Sequence, residues 1–213
     1  MALKTNEIES VVFNAIRSFL NENRVLKKEN LIRYIKSYFS KSSINLNERS
    51  IIENIESLIK KGRIVEGSKL ISEDVLNNPK RRKIYEFIRE NPCVYFNTIV
   101  TSLKLSNNLV FWHLNVLLKF NFIKKSMIEN HEIYFDKSIP HGNIKKLYFQ
   151  NKEISKKILN CLKNDEVGIN QSRLSEKLKI HPKTIKKYLD ILEEIGLIMK
   201  KKISKKEILY FLK

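Results

Sequence analysis

The segment from Ser106 to Lys125 reads SNNLVFWHLNVLLKFNFIKK and is the stretch that decides how this 213-residue chain folds. A polar residue at its start can cap a helix, and apolar residues then recur at three- and four-residue spacing. A tight turn follows, and a short apolar run opens into lysines. This order predicts an amphipathic helix, a turn and the first strand of a small hairpin.

A second segment repeats this order from His181 to Lys202, as HPKTIKKYLDILEEIGLIMKKK. A capped amphipathic helix, a turn and a lysine-rich strand are typical of the recognition helix and wing of a winged helix-turn-helix. In that arrangement the recognition helix enters the major groove of DNA. Two copies in one basic chain favour DNA as the partner.

The distribution of charge favours the same partner. The formal net charge is +18 and the pI about 9.8, which attracts polyanions through counterion release. Lysine accounts for 32 of the 41 basic residues, and AT-rich codon usage alone enriches Lys, Ile and Asn, so position is more informative than the total. The net charge is +3 over residues 1–78, +7 over 79–149 and +8 over 150–213. The excess therefore lies in the two segments that carry the motifs.

Composition excludes several other classes. Apolar residues make up 42% of the chain and there are only 5 Gly and 4 Pro, which argues against a disordered protein. No run of apolar residues is long enough for a membrane span, and the polar N-terminus is unlike a secretory signal. Cys93 and Cys161 are far apart in sequence, which predicts two buried thiols in a cytoplasmic protein.

Catalytic motifs are not evident in the sequence. The histidines lack metal-ligand spacing, and they are His113, His131, His141 and His181. There is no glycine-rich phosphate loop and no Ser, Cys or carboxylate in a nucleophile context. The sequence therefore predicts a protein that is not an enzyme and needs neither metal nor cofactor.

Helical stripes recur about every seventy residues, so the predicted fold is mainly α with small β wings, as three tandem winged helix-turn-helix domains. The expected domains are residues 1–77, 78–137 and 151–213, with a linker at 138–150 suggested by Pro140 and Gly142. In the first domain, 64–66 and 69–71 are expected to form a hairpin.

Residues 78–213 resemble archaeal winged-helix regulators of the broad MarR/ArsR type. The resemblance is carried by NPKRRKIYEFIRENP from Asn78, by Trp112-His113-Leu114 and by Gly196-Leu197-Ile198. It implies a DNA-binding regulator of transcription. The chain departs from the pattern where Cys93 and Asn121-Phe122 replace the usual Gly and Gly-Leu.

Candidate DNA contacts in the third domain follow from its helical pattern. Ile185, Leu189 and Leu192 are expected to face the core. The residues left on the outside are Lys183, Thr184, Lys186 and Lys187. Lysine can bind phosphate or guanine edges, and threonine can contact base edges or a thymine methyl. The predicted wing adds cations that can bind phosphates, namely Lys200, Lys201, Lys202, Lys205 and Lys206.

The second domain has a different outer face. Its predicted recognition helix presents Asn107, Asn108 and Trp112, together with Phe111, and Asn can bind adenine edges. Basic residues cluster instead on the first helix of this domain, where Arg81 and Arg82 are candidate phosphate contacts. Two interpretations therefore stay open: DNA contact, or dimerisation through the exposed aromatic residues.

The first domain resembles the small winged helix at the C-terminus of cullins, which is a docking module in ubiquitin ligases. The resemblance lies in the helical stretches 31–39 and 51–59 followed by Lys61-Gly62-Arg63-Ile64. Arg17 lies in the helix where cullins carry a modified lysine, so that chemistry does not transfer. The resemblance and the small net charge favour a protein partner for residues 1–77.

The leading hypothesis is a regulator of transcription that binds double-stranded DNA, with affinity largely from phosphate contacts. The alternative is a protein-interaction scaffold, because tandem winged helices also build the ESCRT-II complex.

Overall fold

The computed structural model describes most of the chain: residues 5–22, 25–41, 46–165, 167–204 and 207–213. The chain forms two compact units, Met1–Lys137 and Ser138–Lys213. Both are mainly helical and contain a small antiparallel sheet, in agreement with the predicted winged-helix class.

The first unit begins with three amphipathic helices, α1 (Thr5–Glu22), α2 (Lys28–Ser40) and α3 (Glu48–Lys60). Their apolar stripes form one core, in which Ile16, Leu31 and Ile55 are fully buried. Asn47 caps α3, because its Oδ1 accepts a hydrogen bond of 2.7 Å from the Ser50 amide.

The hairpin predicted over residues 64–71 is reduced to a single bridge between Ile64 and Ile71. These two side chains enter the first core, whereas Val65 and Leu70 pack against the core of the following region. Gly62 has a φ of +69°, and a Cβ there would lie 3.0 Å from the carbonyl oxygen of Phe120. The segment therefore joins the two cores into one unit, and the chain does not divide into separate units at residue 77.

The rest of the first unit carries the predicted helix, turn and wing. Its elements are α4 (Ser72–Val75), α5 (Pro79–Glu90), β1 (Val94–Tyr95), α6 (Phe96–Leu103), α7 (Asn107–Lys119), β2 (Ile123–Ile128) and β3 (His131–Asp136). The sheet order is β1-β3-β2, and Ile123 pairs with Asp136. Glu129 and Asn130 both have positive φ, which suits a two-residue hairpin turn.

The second unit repeats the order of the α5–β3 region, three helices followed by a strand pair, and has one extra helix in front. Its elements are α8 (His141–Asn151), α9 (Glu153–Lys163), α10 (Gln171–Leu178), α11 (Pro182–Glu194), β4 (Ile198–Lys202) and β5 (Ile208–Leu212). Strand β4 pairs with β5, and Ile169, just before α10, forms a single bridge to Tyr210.

The linker predicted at 138–150 is wrong, because most of it is α8. Ile144, Tyr148 and Phe149 are buried, and the rings of Phe149 and Tyr188 lie 6.4 Å apart. Pro140 misled the prediction because it occupies the N-cap position, where its missing N–H leaves the helix intact. The segment therefore belongs to the folded second unit.

Cys93 and Cys161 are both buried and form no disulfide with each other, as predicted. Within the ranges that the structure describes, no helix is long and apolar enough to cross a membrane. Those same ranges hold no cluster of three or more His, Cys, Asp or Glu side chains that can bind a metal ion.

Candidate nucleic-acid interface

Helices α7 and α11 have the same length and the same buried register. Each has 13 residues and is followed by a wing strand. Four positions are buried in both helices: Val110 and Ile185, His113 and Tyr188, Leu114 and Leu189, and Leu117 and Leu192. Their outward positions can therefore be compared one by one.

Helix α11 places the predicted recognition residues on one exposed surface. Pro182 occupies the first turn, and the Nδ1 of His181 accepts a hydrogen bond of 3.2 Å from the Lys183 amide. Lys183, Lys186 and Lys187 are exposed, and Thr184 is half-buried. Three cations thus lie in the first half of the helix, where a recognition helix contacts DNA.

Two acidic residues near the end of α11 form ion pairs within the second unit. Glu193 forms an ion pair of 2.7 Å with Lys200, and Glu194 forms one of 2.5 Å with Lys145. The hydrogen bond from Lys200 to Glu193 raises the pKa of Lys200, so this lysine stays charged. Lys200 was predicted to bind phosphate, but its ammonium group already has a carboxylate partner.

Two further lysines of the second unit's wing are exposed to solvent. Lys201 and Lys202 are exposed on β4, opposite Leu209 and Ile208 of β5. Two further predicted wing contacts, Lys205 and Lys206, lie outside the described residues. Within the described part of this wing, the candidates for phosphate contact are therefore Lys201 and Lys202.

Arg81 is a correction to the predicted DNA contacts. It is only 3% exposed, and its Nη1 donates a hydrogen bond of 2.7 Å to the carbonyl oxygen of Val75. Burial lowers the pKa of its guanidinium, although arginine stays protonated in proteins. The sequence missed this role because α4 ends just before α5 and leaves carbonyl groups that need donors.

Arg82 stays on the surface as predicted, although it is also anchored. Its Nε donates a hydrogen bond of 2.9 Å to the carbonyl oxygen of Leu76. Lys80 and Lys83 are exposed on the same helix. The basic cluster at the start of α5 therefore keeps three of its four side chains at the surface.

Helix α7 exposes Asn107, Asn108 and Trp112, and Phe111 beside them. Ser106 occupies the N-cap position, but its side chain makes no capping hydrogen bond. His113 is buried, and its pKa is lowered first by burial and then by the charges of Arg81 and Lys80. The outer face of α7 is thus aromatic and polar, whereas that of α11 is cationic.

The wing of the first unit also differs from the wing of the second. Lys125 on β2 forms an ion pair of 2.6 Å with Glu132 on β3. The pKa of Glu132 is lowered by hydrogen bonds from Lys125 and Tyr134. This wing therefore carries an internally neutralised pair where β4 carries exposed lysines.

Comparison with known proteins finds a family match within the second unit. Residues 152–199 match a family described as winged helix-turn-helix DNA-binding. The chain is also 28% identical over 141 residues to an uncharacterized HTH-type transcriptional regulator of Methanocaldococcus jannaschii. That alignment covers 66% of this chain and 35% of the relative, so the chain matches about a third of that protein.

Proposed function

We propose that this chain is a DNA-binding regulator of transcription whose second unit binds duplex DNA through α11 and the β4–β5 wing. The observation that carries this function is the exposed set Lys183, Lys186 and Lys187. It lies on the helix that corresponds to a recognition helix, inside the segment that matches the DNA-binding family.

In this function the first half of α11 enters the major groove. Lys186 and Lys187 bind phosphate oxygens or guanine edges, and Thr184 reaches a base edge or a thymine methyl. Lys201 and Lys202 of the wing bind phosphates beside the groove. The ion pairs of Glu193 and Glu194 support this role because they reduce the repulsion between α11 and the backbone of DNA.

The proposed function includes three winged-helix domains, the last two of the MarR/ArsR type and the first cullin-like. A common backbone feature supports it, since the segment before each second helix pairs with a later segment of its own domain. The pairs are Leu26 with Gly67 and Ser68, Val94 with Tyr134, and Ile169 with Tyr210. We place no catalytic step in any of the three.

A second candidate function, a protein-interaction scaffold, is favoured by the surface of residues 1–77. Tyr34 and Tyr38 of α2 are stacked with centroids 6.1 Å apart, and Tyr38 is 42% exposed. Tyrosine is enriched at protein interfaces, and this region carries a net charge of only +3. In the combined proposal, residues 1–77 bind a protein or a second copy of the chain while α11 binds DNA.

Salt dependence of duplex binding tests the proposed function. If about five phosphates are neutralised, the logarithm of the binding constant should fall against that of salt with a slope of about −4 to −5. Fluorescence anisotropy of a labelled duplex gives this slope with the full chain. A slope near zero, or no duplex binding at low salt, would contradict DNA binding and would favour the protein-interaction scaffold instead.

A further inference from the structure

The exposed aromatic pair of α7 is the strongest feature that duplex binding through α11 does not use. Phe111 is 61% exposed and Trp112 is 54% exposed. They occupy the positions at which α11 carries Lys186 and Lys187. An outward aromatic pair in a soluble helix favours contact with another molecule, because large apolar side chains are normally covered.

The indole of Trp112 is held in place from the protein side. The guanidinium carbon of Arg81 lies 5.3 Å from the centroid of the Trp112 ring, and Arg81 is itself buried and bonded to Val75. The ring of His113 meets the indole edge-on, with centroids 4.8 Å apart. The tryptophan is therefore both exposed and fixed, and a fixed aromatic surface loses little conformational entropy when a ligand covers it.

The charge around the pair selects the kind of ligand. Lys80, Arg82 and Lys83 are exposed on α5, the helix that supplies the arginine beneath Trp112. Residues 79–137, the part of the first unit that contains α7, carry a net charge of +5, so a second copy placed here would bring like charges together. A polyanion that also offers flat aromatic faces suits both the cations and the rings.

Unpaired nucleotides have this chemistry, whereas the bases of a duplex hide their faces in the stack. Proteins that bind single strands combine a basic surface with aromatic side chains on which bases stack. The amides of Asn107 and Asn108, exposed at the start of α7, can bond to base edges that pairing no longer occupies.

We propose that α7 is a binding surface for unpaired DNA bases, with Phe111 and Trp112 as the stacking residues and the α5 cations as phosphate contacts. This role deepens the proposed function and rests on it for DNA as the ligand, since α11 would bind duplex while α7 binds an opened strand. The two surfaces have separate residues, so each can be removed without the other.

Trp112 is the single tryptophan of the chain, so its emission reports directly on this surface. We expect an oligothymidylate of about twelve nucleotides to quench the emission of the full chain saturably, because bases stack on the ring. An abasic strand of the same length supplies phosphates without bases and should leave the emission unchanged. A closed duplex should bind without this quenching.

Two variants separate the surfaces. Phe111→Ala should weaken oligothymidylate binding about tenfold, which corresponds to the loss of one stacked base. Lys186→Ala with Lys187→Ala is the matched control, and it should weaken duplex binding while leaving the quenching by oligothymidylate intact. Thermal melts of both variants should coincide with the unmodified chain, because the changed side chains are exposed.

Several outcomes would overturn the role of α7. These are no quenching by oligothymidylate, equal quenching by the abasic strand, or unchanged affinity in Phe111→Ala. An emission that shifts to shorter wavelength with protein concentration alone would assign the pair to a second copy, and a shift only with an acidic peptide would assign it to a protein. Each leaves duplex binding through α11 untouched, whereas loss of duplex binding in the unmodified chain would refute the proposed function.

Discussion

Helices α7 and α11 share a buried side and differ on their outer side. Both bury the same four positions, and both end in a turn with positive φ, at Asn121 in one and Gly196 in the other. On the outside, Phe111 and Trp112 stand where α11 has Lys186 and Lys187. The comparison shows one buried register with two different outer faces, and in the two proposals it is these outer faces that select the ligand.

The surroundings of the two helices differ in the same way. Around α11, ion pairs bring Lys200 and Lys145 to the acidic residues of the helix. Around α7, the buried guanidinium of Arg81 supports an aromatic ring. The residues that surround the two outer faces thus differ: carboxylate–lysine ion pairs at α11 and a buried arginine at α7. If buried and exposed positions act separately, substitutions at the first should change stability and substitutions at the second should change binding.

The largest expected effect is on the shared core. Leu114→Ala and Leu189→Ala should each reduce the free energy of unfolding of their own unit by about 2–5 kcal/mol, because both leucines are buried. Hydrogen exchange resolved by peptide assigns the loss to a unit. A loss of protection spread equally over both units would contradict this expectation, because it would mean that the two units unfold together.

A smaller effect is expected from the two neighbouring arginines of α5. Arg81→Ala should destabilise the first unit by about 1–3 kcal/mol, because it leaves the Val75 carbonyl without its buried donor. Arg82→Ala is the matched control, and its exposed side chain should matter by about 0.5 kcal/mol or less. Urea titrations followed by Trp112 emission measure both. Equal losses would contradict the structural role of Arg81.

The smallest effect is a pH dependence confined to the first unit. His113 occupies the position of Tyr188 in α11, and burial lowers its pKa in the folded chain. Once pH falls below about 6.5 the unfolded chain binds a proton that the folded chain resists. Stability of the first unit should therefore fall on acidification, by at most about 1.4 kcal/mol per pH unit.

His113→Gln removes this titration and serves as the comparison. Urea midpoints at pH about 7.5 and about 5.5 should move less in this variant than in the unmodified chain. If both chains respond alike, other groups must account for the acid sensitivity.

The sequence predicted a mainly helical fold with small antiparallel sheets, because hydrophobic spacing and turn residues encode these elements locally. The stripe of α11 and the short lysine-rich strand after it follow from patterns within a few residues. The helix α8 was missed because Pro140 and Gly142 resemble a linker. Packing against Tyr188 and the ion pair of Lys145 with Glu194 show that this helix belongs to the second unit.

The site was harder to predict, since exposure depends on neighbours that are distant in sequence. Arg81 and Arg82 are adjacent and chemically identical, yet only Arg81 is buried against Trp112, thirty-one positions away. The pairing of Lys200 with Glu193 likewise depends on how β4 returns along α11. A count of lysines in the sequence cannot show which of them form ion pairs within the protein.

The most direct test of duplex binding through α11 compares two double variants of equal charge change. Lys186→Ala with Lys187→Ala should weaken duplex binding about tenfold or more and flatten the salt slope by about 1.8. Lys156→Ala with Lys163→Ala removes two exposed lysines from α9 and should leave the slope unchanged. Anisotropy over a range of salt concentrations measures both. Equal slopes for the two variants would contradict α11 as the DNA-binding helix.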